Sequence, residues 1–112
     1  MTSETLSAQA FATVLASTIH AEAEKADDML RGWTIEARIG GVYGFLRFND
    51  NDEEGIDFRC EVDEVEVFGT ITKAETRYVW EVEAIVANNC HPSTLRIVAS
   101  FVEKISLASR GC

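Results

Sequence analysis

Proline occurs once in this 112-residue chain and glycine seven times, too few of either for a disordered or low-complexity segment. No apolar run approaches the length that a bilayer span needs. The start, Met1-Thr2-Ser3-Glu4, lacks the basic opening and continuous apolar stretch of a signal peptide. Cysteine occurs three times, at Cys60, Cys90 and Cys112, an odd number with no CxxC spacing. A disulfide framework or a structural zinc site is therefore not expected. Free thiols and no export signal point to a reducing cytoplasm. The motifs GxSxG, HExxH and GxGxxG are missing, as is a phosphate loop.

Hydrophobic residues make up 46% of the chain, enough for one domain over residues 1–112 to bury a core unaided. Basic residues number 10 and acidic residues 19, a net charge of −9. Residues 49–83 hold 12 of those carboxylates and only Arg59, Lys73 and Arg77 in return, so this stretch alone sums to 3 − 12 = −9. The remainder is neutral. Such a field repels nucleic acid and membrane surfaces and steers basic partners.

Residues 4–30 step apolar side chains at three and four positions: Phe11, Val14, Leu15, Ile19, Ala23, Ala26, Met29 and Leu30. With many alanines, this spacing predicts one long helix of about 40 Å, capped by Thr2 or Ser3 and stopped at Gly32. From Trp33 the period becomes two. Gly40-Gly41 supplies a two-residue hairpin turn, setting Ile39 against Val42 and Ile35 against Leu46. Three further strands are expected, with inward sets Ile56 to Val62, Val65 to Ile71, and Tyr78, Trp80, Val82, Ala84 and Val86. Between the first two, Asp63-Glu64 is either a tight turn or a bulge. A last helix spans about Ser93 to Ala108, with Ser93 as cap and Leu95, Val98, Phe101, Val102 and Ile105 as its buried stripe. The expected fold is α+β: a long N-terminal helix, a five-stranded antiparallel β-meander and a C-terminal helix, both helices on one face of the sheet.

Simple hairpin registers lay out the other face. One row reads Glu36, Phe45, Arg59, Phe68, Glu81, and the next Arg38, Tyr43, Glu61, Glu66, Glu83. A third reads Thr34, Arg47, Asp57, Thr70, Val79. Cross-strand packing of an arginine stem on aromatics needs no function. Exposed aromatics around an arginine are also what binding hot spots are made of, and Val79 and Ile85 add apolar surface. Glu61, Glu66 and Glu83 would form a row of carboxylates that repel one another. The expected binding residues are thus Tyr43, Phe45, Arg59, Glu61, Glu66, Phe68 and Glu83.

Other motifs carry less. Asp50 to Gly55 with Glu61 loosely fits a calcium loop, but strands flank it where helices are required, and an acidic hairpin loop explains it. Cys90-His91 before the last helix could be a lowered-pKa thiol beside a base, yet nothing orients the pair. His20, Cys60, Cys90 and His91 could in principle share a metal. No metal, cofactor or catalytic residue is expected. The residues point to a non-catalytic acidic domain that covers a basic surface of a partner protein, of the inhibitor, immunity or chaperone type. A homodimer through the open sheet face is a second use of that surface; direct nucleic-acid or membrane contact is not expected. The alternative is a small-ligand-binding domain or minor thiol enzyme, its site between the long helix and the sheet near Trp33, Tyr78, Trp80 and Cys60.

Overall fold

A computed structural model describes residues 7–25, 32–51, 55–75, 77–87 and 91–110. The cap at Thr2 or Ser3, the helix beyond residue 25, Cys90 and Cys112 lie outside them. The order of elements is α1 (Ala8–Thr18), β1 (Ala23–Lys25), β2 (Gly32–Ile39), β3 (Val42–Asp50), β4 (Ile56–Val62), β5 (Val65–Ala74), β6 (Arg77–Ala87) and α2 (Pro92–Ser109). The six strands form one antiparallel meander in sequence order.

The long helix is the first correction. Ser7 caps α1 by accepting from the Ala10 N–H, and the helix ends eleven residues later. Thr18 and Ile19 are β-branched and weak helix formers. His20 then adopts φ 59°. Its N–H donates to the Ser17 carbonyl at 3.3 Å and that of Ala21 to the Ala16 carbonyl at 2.7 Å. That pair of bonds is the Schellman closure, with histidine at the position glycine usually takes. The chain then pairs Ala23 with Ile35, Glu24 with Thr34 and Lys25 with Trp33, which adds a sixth strand. Tertiary pairing overrides the helix propensity of the alanines here.

The first hairpin has the expected register, Ile39 against Val42 and Ile35 against Leu46. The inward alternation of β2 to β5 is also as expected: Ile35, Ala37, Leu46, Phe48, Ile56, Phe58, Cys60, Val62, Val65, Val67 and Ile71 are all buried. Both helices cover this face. Phe11 of α1 meets Phe48 and Tyr78 edge-on at centroid distances of 5.3 and 4.8 Å. On α2, Val98, Phe101 and Ile105 are buried, and Phe101 lies so close over Gly44 that a β-carbon there would sit 2.3 Å from its ring. Leu95, placed in the stripe by its spacing, is 40% exposed instead.

At Asp63-Glu64 the chain makes the tight turn, with φ 49° and 67° and Val62 paired with Val65. Both residues occupy the left-handed region that Asn and Gly tolerate better. Replacing the pair by Asn-Gly is expected to stabilise the protein by about 1–2 kcal/mol. A urea midpoint that stays put or falls would refute this account of the turn.

β6 departs from the expected parity. Gly69 pairs with Val82 and Phe68 with Ala84, so Glu83 is an extra residue at a bulge. Beyond it the two faces exchange. Ile85 turns to the helix side, opposite Val67, while Ala84 and Val86 turn away from it.

Candidate protein-binding face

The sheet face opposite the helices is bare among the described residues, and every expected binding residue reaches it. Their neighbours differ from those expected. Glu36 does oppose Phe45 and Glu61 does oppose Glu66, but Phe45 opposes Glu61, not Arg59. One row therefore reads Glu36, Phe45, Glu61, Glu66, Val86, and the next Thr34, Arg47, Arg59, Phe68, Ala84. The expected β3–β4 register was off by two residues. A slip of two leaves every side chain on its own face, so alternation cannot detect it.

Glu61 and Glu66 still oppose each other, but Arg59 bridges them, and the β5–β6 bulge takes Glu83 out of the row. Arg59 pairs with Glu66 and, at 3.4 Å, with Glu61. Its guanidinium also stands 6.0 Å from the centre of the Phe68 ring. Glu83 sits apart at the bulge, accepting from the Thr70 hydroxyl at 3.3 Å. Arg59 is thus largely engaged in holding the face together, as the cross-strand explanation requires.

The feature that spacing alone missed lies at the β1 edge. Glu22, Glu24 and Glu36 surround a hollow of about 290 Å³ walled by Thr34 and Phe45. Beside it, a hydrogen bond to Glu36, then desolvation and the Glu36 charge, hold the Tyr43 phenol above its ordinary pKa of 10.0. Glu22 and Glu24 were assigned to the long helix. Instead Glu24 lies in β1 and Glu22 immediately precedes it, and both line the hollow with Glu36. The signal was present in Ala21-Glu22-Ala23-Glu24, which alternates at period two.

The remaining candidates are committed elsewhere. Asp50 Oδ1 accepts the N–H of Ala8 at 2.7 Å, tying β3 to the start of α1. Asn51 Oδ1 accepts from Gly55 N–H at 2.8 Å and its Nδ2 donates to Asp57. Glu61, the distal ligand of the calcium pattern, lies on the other face from Asp50. Among the described residues no group of three His, Cys, Asp or Glu side chains is placed to hold a metal ion. His91, rather than Ser93, caps α2, its Nδ1 accepting from the Ser93 N–H at 3.1 Å, with Pro92 in the first turn.

The aromatic residues proposed for a ligand site, Trp33, Tyr78 and Trp80, are partly buried and pack against the core. Trp80 stands 4.9 Å from Phe58 and 6.1 Å from Phe48, and its Nε1–H donates to Ser109 Oγ at 2.9 Å. Burial pushes the Cys60 thiol up from 9.0 to about 12, away from nucleophilic use. Between those two values the unfolded chain ionises while the folded chain keeps its proton. Stability is then fully present below pH 9 and lost as pH rises toward 12. At about pH 10.5 the loss from Cys60 relative to neutral pH is expected to reach about 2 kcal/mol, and Cys60→Ala should remove that contribution. Equal alkaline loss in both proteins, read by urea unfolding, would contradict it.

No known family model, curated protein or solved structure matches the chain. No described helix is long and apolar enough to cross a membrane.

Proposed function

We propose that this chain is a non-catalytic, cytoplasmic protein-binding domain whose acidic sheet face covers a basic surface of a partner protein. The observation that carries the reading is the hollow between β1 and β3. Three glutamates and Phe45 line it, a lining that suits a lysine or arginine side chain by offering both opposite charge and an aromatic ring. The row Phe45, Glu61 and Glu66 continues the acidic surface, with Arg59 and Phe68 next to it. Long-range steering by the net charge of −9 would bring the partner in, and the aromatics would anchor it. An inhibitor, immunity protein or chaperone acts in this way, and the reading extends to a nucleic-acid-binding partner without contact to nucleic acid itself.

A lysine-rich peptide is the probe. Amide shifts on titration are expected to concentrate on residues 22–24, 34–36 and 43–45, and affinity should fall about tenfold or more between low and high salt. Glu36→Lys should weaken binding about tenfold more than Glu103→Lys, which changes net charge equally on the helix side. Equal losses for the two variants would show that only overall charge matters, and the reading would fail.

A further inference from the structure

The two edges of the sheet are treated differently. β1 is three residues long and two of them, Glu24 and Lys25, are charged, which is how natural sheets protect an edge from pairing. β6 is eleven residues long, holds no proline or lysine, and past its bulge is wholly apolar: Ala84, Ile85, Val86, Ala87. Its side chains remain in solvent, with Val82 45%, Ile85 56% and Val86 46% exposed.

A groove of about 540 Å³ runs along this edge on the helix side. Val67, Val82 and Ile85 form its floor, and Leu95, Ala99 and Val102 of α2 its wall. The wall residues recur at four and three positions, a second apolar stripe beside the buried one of Val98, Phe101 and Ile105. Among the described residues no strand pairs with the outer edge of β6, and an open strand edge with an apolar flank is completed by another strand that brings an apolar flank of its own.

We propose that the occupant is a second copy of this chain, joined by antiparallel pairing of β6 with β6 about a two-fold axis. Three observations select it. First, the partner must offer a long strand edge with an apolar end and an apolar helix flank, and this chain has both at the same place. An isologous contact also closes, leaving only the two protected β1 edges outside. Second, charge permits it. β6, α2 and its cap carry Arg77, Arg96, Lys104 and Arg110 against Glu81, Glu83 and Glu103, or 4 − 3 = +1. The rest of the chain then carries −9 − 1 = −10. This flank is where two copies of an acidic protein can meet without repulsion. Third, the size suffices. The strand is about 36 Å long, and one strand layer plus one helix layer is about 20 Å deep. Roughly 600–700 Å² per copy would be covered, about 1,300 Å² in all, within the range of stable interfaces.

The product is a continuous sheet of two six-stranded halves, with α2 packed on its counterpart over the joint. A two-fold axis perpendicular to the sheet puts both bare faces on the same side. The dimer differs from one formed through the open face, because it leaves that face free.

Sedimentation velocity and light scattering on the full chain test this. A species of twice the 12.4 kDa chain mass is expected. Ile85→Lys and, separately, Leu95→Lys should raise the dimer dissociation constant on the order of a hundredfold, by forcing an ammonium group into the apolar joint. Both positions are solvent-exposed in the single chain, so circular dichroism should show the fold retained. Phe45→Lys, on the open face, should leave the dimer intact. A chain that is monomeric at all concentrations would overturn the proposal. So would a dimer that survives both edge variants, or one broken by Phe45→Lys instead.

Discussion

Gly69→Ala is expected to cost more than about 3 kcal/mol and to leave little folded protein at physiological temperature. A β-carbon at this position would lie 2.0 Å from the Glu81 carbonyl oxygen and 2.6 Å from the Phe58 ring. The oxygen belongs to backbone and cannot swing aside. The ring is buried, stacked at a tilt on Trp80. Gly69 also marks the point where β5 and β6 change register, so relief of the clash means loss of the bulge. Without the bulge, residues 84–87 would each present the opposite side chain. Ile85 would turn away from Val67 and the groove beside α2 would lose one of its three floor residues. Gly41→Ala offers the contrast. Nothing lies within 4 Å of a β-carbon there, although φ is +79°, so only backbone strain of about 1–2 kcal/mol is expected. Chemical denaturation of both variants measures the difference; a Gly69→Ala protein as stable as wild type would refute the proposed close approach.

The second large effect is expected at Phe11. Its ring contacts Phe48, Tyr78 and Trp80 and is 2% exposed. Truncation to alanine removes a buried aromatic and opens a cavity at the centre of an edge-to-face cluster, a loss of about 3–5 kcal/mol. The effect should also be local. An eleven-residue helix is marginal on its own, so α1 persists because Phe11, Leu15 and three alanines hold it on the sheet. Hydrogen exchange in Phe11→Ala should accelerate in α1 more than in the central strands. Val14, one turn away and 45% exposed, sets the baseline: Val14→Ala should change stability by less than about 0.5 kcal/mol. Uniform acceleration throughout the chain would show that α1 and the sheet open as one unit.

The outer face shows how far residue spacing carries. Each of Tyr43, Phe45, Arg59, Glu61, Glu66, Phe68 and Glu83 reaches the face that alternation assigns to it. Their pairing is another matter. β3 extends to Asp50, which pairs with Ile56, so the connection is shorter than the polar residues 49–55 suggest. The resulting two-residue slip sets Glu61 opposite Phe45 and Arg59 opposite Arg47. The β4–β5 register is as expected, and within it Arg59 pairs with Glu61 and Glu66, a contact that alternation alone does not reveal.

Local chemistry determined the class of the fold, the buried rows of β2 to β5 and most of that of α2, and the Gly40-Gly41 hairpin, because sustained periods of two and of 3.6 each suit one kind of element. Charge counting located most of the acidity on residues 49–83. Tertiary structure decided what no local period encodes. It ended α1 at a left-handed His20 and recruited Glu22 and Glu24 as neighbours of Glu36, because β2 offered an unpaired edge. It set the registers, which depend on where strands end rather than on which residues alternate. It also placed Glu83 at a bulge, which turned Ile85 toward α2 and left a long apolar edge on one side of the sheet. Propensity differences of tenths of a kcal/mol per residue yield to a strand pairing or a packed ring worth several times more.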